Sequence, residues 1–327
     1  MDQGVPGVRR LRIVIPGGSG QVGTILARHL HAASHDVTVL SRSPKPAQWK
    51  CLPWDGRTLD PRWTQTLEGA DAVIHLSGRS VNCRYNPANR REIIDSRVIP
   101  TLLIGQAIEQ SRQPPKVWMN ASTSTFYRHA LDRPQDEFTG KLGGSEPGAP
   151  DPWNFSIDVA RRWEEAFYAS TTPATRKVAL RSSMTMSPDA GGVFSVLLGL
   201  VRFGLGGTEG SGKQFVSWIH DLDYCRAIDY LLAHDDISGA VNLTAPNPLP
   251  NREFMRALRQ AWGVPIGLPA TRWMLEIGAF LLRTETELIL KSRRAVPTVL
   301  LNHGFRFEFP EWPGAAAELV QRFQSQH

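Results

Sequence analysis

Gly17, Gly20 and Gly23 stand at G-x-x-G-x-x-G spacing, with Gly18 beside the first, in the stretch LRIVIPGGSGQVGTILARHL. An apolar run ends at Ile15 and a helical pattern opens near Gly20. In that setting glycines let a backbone turn tightly and approach a diphosphate. Main-chain N–H groups at the helix start, around Ser19, Gln21 and Val22, then bind its charge. The second apolar run, HDVTVLSR, closes on Ser41 and Arg42, followed by Ser43. NAD sites usually place Asp or Glu there for the ribose hydroxyls. A guanidinium with hydroxyls beside it instead binds a 2′-phosphate through charge-assisted hydrogen bonds, so the pattern predicts a preference for NADP(H). Trp54 and Asp55, in CLPWDG, end a third run where an adenine edge would lie. Leu76, Ser77 and Gly78, in HLSG, end a fourth, where small residues let the backbone pass close to a cofactor. The competing reading is a plain tight turn packing helix on sheet, with Arg42 an ordinary surface cation.

These residues need a scaffold, and the pattern around them supplies one. Strand-length apolar runs fall at 11–15, 37–40, 72–76, 117–120, 178–180 and 240–243, with helical patterns at 20–31, 90–110 and 157–169 between them. Strands apolar on both faces, alternating with helices, predict an α/β fold, a doubly wound parallel sheet of the Rossmann kind. The Pro/Gly-rich stretch RPQDEFTGKLGGSEPGAPDPW reads as a long surface loop over the carboxyl edge of that sheet. From about residue 183 the alternation weakens, and helical patterns near 192–203, 252–262 and 272–291 predict a smaller mixed C-terminal lobe. The expected division is a cofactor-binding domain over 1–182, rejoined by about 217–244, and a substrate lobe over 183–327. Pro100 inside the pattern 90–110 costs a helix roughly 3 kcal/mol, so a break or two shorter helices are expected there.

The 327 residues, 41% hydrophobic and 21% charged, suit a globular protein with a sizeable core. The net charge of +6 comes from scattered Lys and Arg without a run or an aromatic-interleaved stripe, which argues against nucleic acid and allows a pocket for an anion. Cys51, Cys83 and Cys225 form no CxxC pair, so neither a metal site nor a disulfide framework is expected. No apolar stretch has the length of a membrane span, and MDQGVPGVRR does not read as a signal peptide. The expectation is a cytoplasmic protein acting on a small molecule.

With GGSGQVG, SRSP, WDG and HLSG in place, and with DSR at 95–97 and RRWEEA at 161–166, the chain resembles an extended short-chain dehydrogenase/reductase. More narrowly it is similar to the atypical NAD-dependent, or sugar-nucleotide, epimerase family proteins typified by the bacterial YfcH-like proteins. Further matching blocks are GLGGTEGSGKQFVSWIHDLD (204–223), VNLTAPNPLPNREF (241–254) and VPTVLLNHGFRFEFPE (296–311). The resemblance covers nearly the whole chain from Leu11. It implies an NADP-binding domain, a C-terminal substrate lobe with a cleft between them, and an unassigned substrate. It also implies a monomer or a homodimer paired through the helices at 90–110 and 157–169, a surface that Pro100 enters.

Such enzymes use a Tyr-x-x-x-Lys pair with Ser or Thr for acid/base work. None of Tyr85, Tyr127, Tyr168, Tyr224 and Tyr230 has Lys four residues on. Counting back from Glu164, the Tyr slot falls on Ser156 and the Lys slot on Ala160. The resemblance sets Thr123 at the catalytic hydroxyl position, with Ser122 and Ser124 beside it, and leaves Tyr127 or His220 as substitute proton carriers. Ser122 is expected to meet the cofactor, and Ser124, Ser156, Lys213, Gln214 and Trp218 to meet a polar or anionic substrate. Two functions follow: an NADP(H)-dependent reductase or epimerase of altered acid/base design, or a non-catalytic NADP(H)-binding sensor or interaction module.

Overall fold

Short apolar segments, buried on both faces, form a parallel sheet. The computed structural model describes residues 9–270 and 287–326. Its strands are β1 (Arg12–Pro16), β2 (Asp36–Ser41), β3 (Lys50–Pro53), β4 (Ala72–His75), β5 (Val117–Thr123) and β6 (Arg176–Ser182). Then come β7 (Met184–Met186), β8 (Phe215–Val216), β9 (Trp218–His220), β10 (Gly239–Leu243) and β11 (Leu249–Pro250). Helices are α1 (Gln21–Ala32), α2 (Pro61–Thr64), α3 (Pro87–Gln110), α4 (Asp151–Ala169), α5 (Val193–Arg202), α6 (Asp221–Ala233) and α7 (Asn251–Trp262). Later turns of helix lie at Glu287–Leu290 and Thr298–Asn302, before a long C-terminal helix, Trp312–Gln326.

The main sheet has the order β10-β6-β5-β4-β1-β2-β3, and every pair in it is parallel. Side-chain alternation sends Ile13 and Ile15 toward α1 and α6, where they meet Leu26 and Ile228. Val14 and Val73 point the other way, toward Ile104 of α3, Phe167 of α4 and Trp63 of α2. The strand order reverses between β1 and β4, so a crevice opens outside their carboxyl ends, the place where doubly wound sheets bind ligands.

A second, mixed lobe forms around its own core. There β7 pairs with β9 in parallel and β8 with β11 antiparallel, while α5, α7 and the C-terminal helix bury Phe194, Phe254 and Trp312. The rings of Phe254 and Trp312 stack with centroids 4.0 Å apart. The expected segment 217–244 is divided: β9 lies in a small sheet, whereas α6 and β10 belong to the main one.

Two local expectations are corrected. Helix α3 runs unbroken through Pro100, which is buried. Side chains occupy carbonyls around the proline: Thr101 Oγ1 donates to Arg97 O at 2.7 Å and Arg97 Nη1 to Ile93 O at 2.9 Å, so packing outweighs the backbone penalty. The loop after β5 is not merely a surface excursion. Gln135 is fully buried, and the Glu137 carboxylate accepts from Asn242 N at 2.8 Å. Of the helical pattern at 272–291, residues 272–286 lie outside the described residues. Among the described residues, no helix is long and apolar enough to cross a membrane.

Candidate functional site

The turn between β1 and α1 is built so closely that side chains cannot enter it. Gly17 has φ +77°, and a Cβ there would lie within 2.6 Å of the Ser77 backbone; at Gly23 it would lie 2.5 Å from Gly18 Cα. Gly18 N donates to Ile15 O and Gly17 N to Leu40 O, which locks the turn onto β1 and β2. Gly20 is different. It caps α1 without any side-chain hydrogen bond, and a Cβ there would meet nothing within 4 Å. The positive end of α1 therefore opens onto free space, as an anion site requires.

The neighbouring predicted residues take distinct parts. Ser19 is exposed, and its hydroxyl accepts from Ser41 Oγ at 2.9 Å, while Ser41 Oγ accepts from Ser43 N at 3.1 Å. Ser41 is thus a tie between the turn and the end of β2. Arg42 and Ser43 are exposed. Gln21 Nε2 donates to Asp189 O at 2.6 Å, and Arg28 pairs with the Asp189 carboxylate, so the segment after β7 is tied to the side of α1. Val22 packs against the main core. Ser77 has a buried hydroxyl without a partner, beside Gly17. Leu76 N donates to Pro16 O at 2.8 Å, and Gly78 backs onto the Arg97 guanidinium.

Beyond Arg42 a cavity of about 400 Å³ is lined by Pro53, Trp54, Asp55, Thr58 and Trp63 among others. Asp55 turns its carboxylate onto its own loop, accepting from Arg57 N at 2.8 Å, Thr58 N at 2.9 Å and Thr58 Oγ1 at 2.8 Å. Those bonds, the Arg57 amide first, hold its pKa below the usual range. Trp54 is buried edge-on against Trp63, with an unpartnered Nε1. Another cavity, of about 230 Å³, lies at the opposite, amino edge of the sheet beside Arg12, Asp36 and Lys50, away from the glycine turn.

Thr123, at the carboxyl end of β5, is half-buried. Its Oγ1 accepts from Thr125 N at 3.1 Å, which leaves its own O–H free to donate. Ser122, on the opposite face, donates to Glu164 at 2.5 Å. Glu164 is held by Arg181 through two bonds of 2.8 and 2.7 Å. Tyr127 belongs to this buried cluster and not to a cleft: its hydroxyl donates to Asn242 Oδ1 at 3.0 Å and accepts from Arg181 at 3.1 Å. Burial raises its pKa. Ser124 is buried and accepts from Ser183 Oγ at 3.1 Å.

The KQFVSWIH block is likewise largely structural. Gln214 is buried and donates to Glu209 O at 2.8 Å; Trp218 is fully buried and packs on Trp312. His220 caps α6, with Nδ1 accepting from Leu222 N at 3.1 Å and Nε2 set 2.8 Å from Glu318. Its ring stacks on Phe309 at 4.0 Å. A proton carrier needs a face toward a reacting group, and His220 has none to spare. Asp223, also in this block, is fully buried and accepts from Glu308 N and Phe309 N, both at 2.8 Å. Lys213 is exposed.

Ser156, in the Tyr slot, reveals residues that spacing alone did not single out. Its hydroxyl donates to Glu287 Oε2 at 3.0 Å. Glu287 forms a buried ion pair with Arg293 at 2.7 Å, and Arg293 Nε donates to Thr125 Oγ1 at 3.0 Å. Lys291, also buried, donates to Thr125 O at 2.7 Å, and burial lowers its pKa to about 8. From the loop after β4, Tyr85 packs beside the same cluster: its ring meets Phe155 edge-on at 4.9 Å. Four segments far apart in the chain converge here, which no local pattern announces.

Among known proteins, the NAD dependent epimerase/dehydratase family model matches residues 13–149, and a domain of unknown function, DUF1731, matches residues 270–319. Epimerase family protein SDR39U1 of Bos taurus is 31% identical over 314 residues, covering 95% of this chain and 100% of the relative. Epimerase family protein Mb2239 of Mycobacterium bovis is 32% identical over 300 residues, 90% of this chain and 93% of that protein. The crystal structure of human SDR39U1 (isoform2) with NADPH superposes with a TM-score of 0.82 at 28% identity, covering 95% of this chain and 99% of that one.

Proposed function

Because this chain belongs to the epimerase family of extended short-chain dehydrogenases/reductases, we propose that it binds NADP(H) and catalyses oxidoreduction or epimerisation of a small polar or anionic molecule. The observation that carries this reading is the end of β2, where Arg42 and Ser43 stand exposed beside the cavity. The carboxylates nearest them are engaged, Asp55 by its own turn and Asp60 by Arg62, so little opposes an additional phosphate. The open N-terminus of α1 fits the diphosphate, and the unpartnered Ser77 hydroxyl and Trp54 N–H are polar atoms that a bound nucleotide would satisfy. When bound, the coenzyme supplies or accepts hydride at its nicotinamide. Thr123 holds a substrate oxygen through its free O–H, and exposed Lys213 offers a cation to an anionic group. The free thiols of Cys51, Cys83 and Cys225 accord with a cytoplasmic protein, working as a monomer or homodimer.

Calorimetry with NADPH and NADH tests the reading. Charge-assisted hydrogen bonds contribute about 1.5–3 kcal/mol, so Arg42→Ala should weaken NADPH by about 10- to 100-fold and leave NADH unchanged. Binding of neither nucleotide would overturn the proposal.

A second reading, a non-catalytic NADP(H) sensor, is favoured by the engagement of Tyr127 and His220 away from any cleft and by serine in the Tyr slot. Oxidation of bound NADPH by a panel of sugar nucleotides, quinones and aldehydes separates the two: tight binding without turnover supports the sensor.

A further inference from the structure

We propose that Lys291 and Arg293 are positioning residues for Thr123, and that they act on its hydroxyl through Thr125. The inference rests on the reading above, in which Thr123 holds a substrate oxygen. Thr125 has three polar atoms, and each is tied. Its N–H donates to Thr123 Oγ1 at 3.1 Å, its carbonyl accepts from Lys291 Nζ at 2.7 Å, and its Oγ1 accepts from Arg293 Nε at 3.0 Å. The first of these bonds makes Thr123 the cap of a single 3₁₀ turn, Ser124–Phe126. So short a turn has poor hydrogen-bond geometry and little stability of its own, and its closing bond, Tyr127 N to Ser124 O, is 3.2 Å long. Threonine keeps more than one staggered χ1 well. If the turn loosened, Thr123 would lose the bond that selects its rotamer. A methyl or a hydrogen would then replace the hydroxyl at the carboxyl edge of β5.

The two cations can hold Thr125 because they are themselves held. Arg293 gives Nη2 to Glu287 Oε1 at 2.7 Å, and Ser156 of α4 donates to the other oxygen of that carboxylate at 3.0 Å. Lys291 is 1% exposed, and a buried ammonium depends on the acceptors around it. Between them, Ser292 Oγ donates to Ala130 O at 2.6 Å and Ser292 N to His129 Nδ1 at 3.0 Å. The KQFVSWIH block closes the clamp from the other side. Phe215 N donates to Ser292 Oγ at 2.8 Å, Arg293 N to Phe215 O at 2.9 Å and Ser217 Oγ to Arg293 O at 2.8 Å. Residues 291–293 are thus a strap, fixed to the loop after β5 on one side and to β8 and Ser217 on the other. The strap lies within the segment that matches a domain of unknown function, and it gives that segment a part in presenting the Thr123 hydroxyl.

The full chain, labelled with ¹³C and ¹⁵N, gives a readout that needs no substrate. Thr123→Ser identifies the Thr123 methyl signal by removing it. In the wild type, the three-bond couplings of that methyl to the backbone nitrogen and carbonyl carbon should be those of one χ1 well. Thr125→Val removes the acceptor of Arg293, and Lys291→Met removes the donor to the Thr125 carbonyl. Each should pull the couplings toward the average over wells, whereas Thr125→Ser should keep the wild-type values. Thr125→Val is isosteric and leaves Arg293 its Glu287 partner, so the fold should survive it even where Lys291→Met is damaging. Couplings unmoved in Thr125→Val overturn the proposal. With NADPH and an aromatic ortho-quinone as probe, Thr125→Val should lower kcat by about 10- to 100-fold at unchanged KM for the quinone, and Thr125→Ser should restore it. Wild-type kcat in Thr125→Val also overturns the proposal. Calorimetry separates the two failures. Binding of neither NADPH nor NADH by the wild type overturns the cofactor reading and this inference with it, whereas normal nucleotide affinity with unmoved couplings overturns the inference alone.

Discussion

The Ser156 hydroxyl donates to the Glu287 carboxylate across 131 positions of sequence. That bond joins helix α4, packed on the main sheet, to the segment entering the C-terminal part of the chain. The serine in the Tyr slot is thus neither a vacancy nor an idle surface residue. It is one end of a polar chain that runs through the buried Glu287–Arg293 pair to Thr125.

Glu287 and Arg293 are 1% and 9% exposed at their side chains. Removing one partner of a buried ion pair leaves the other's charge uncompensated and typically costs about 3–5 kcal/mol. Glu287→Ala should therefore lower the unfolding free energy by about that amount, read as a reduced midpoint in urea. A loss below about 1 kcal/mol, the range of exposed pairs, would show that Arg293 is compensated by other means.

His220 offers the sharpest contrast between a catalytic and a capping role. Replacing a good N-cap by alanine costs about 0.5–2 kcal/mol. His220→Ala should lose stability in that range, His220→Asn should recover most of it, and NADPH affinity should be unchanged in both. A large loss of turnover in His220→Asn, with stability intact, would return the imidazole to the chemistry.

The sheet was legible because its strands are apolar on both faces and alternate with helices, so Ile13, Val14 and Ile15 alone declare two buried sides. The glycine turn was legible for a related reason: positive φ at Gly17 and close approach at Gly23 admit only glycine. Sequence could not say which polar side chains would face a cleft. Ser122 and Thr123 are adjacent, yet strand alternation sends one to Glu164 and leaves the other half-exposed. Tyr127 and Trp218 carry the right chemistry but are consumed by packing. Tyr85, Glu287, Arg293 and Lys291 reach the site only through tertiary contacts, and one arginine among many basic residues gives no signal.

The glycines themselves should separate folding from binding. At Gly23 an added Cβ meets backbone 2.5 Å away, so Gly23→Ala must displace the turn and should destabilise the protein by about 1–3 kcal/mol. At Gly20 nothing lies within 4 Å. Gly20→Ala should change stability by no more than about 1 kcal/mol while weakening NADPH binding, since the methyl occupies the space in front of the α1 amides. Calorimetry and thermal unfolding on the two variants check both halves. Equal effects on stability would mean that the space at Gly20 is closed in solution.

His75 makes the fold acid-sensitive. It is fully buried at the end of β4, with Nδ1 2.6 Å from Asn120 Oδ1 and Nε2 without a partner. Since the Asn oxygen accepts, Nδ1 carries the proton, and the neutral ring has no second proton that would need an acceptor at Nε2. Burial lowers its pKa from 6.5 to about 4. Between those values the unfolded chain binds a proton at this ring that the folded chain refuses, so stability falls as the pH drops from 6.5 toward 4. Below about 4 both states are protonated and this contribution no longer changes. Each tenfold difference in proton affinity between the two states is worth about 1.4 kcal/mol, so the loss across that window is about 3 kcal/mol. His75→Gln keeps an amide donor for Asn120 but cannot titrate. Urea unfolding of both proteins at several pH values should show the wild type losing stability in acid faster than the variant by that margin. Parallel profiles would mean that the imidazole is protonated inside the fold, with Nε2 reaching an acceptor.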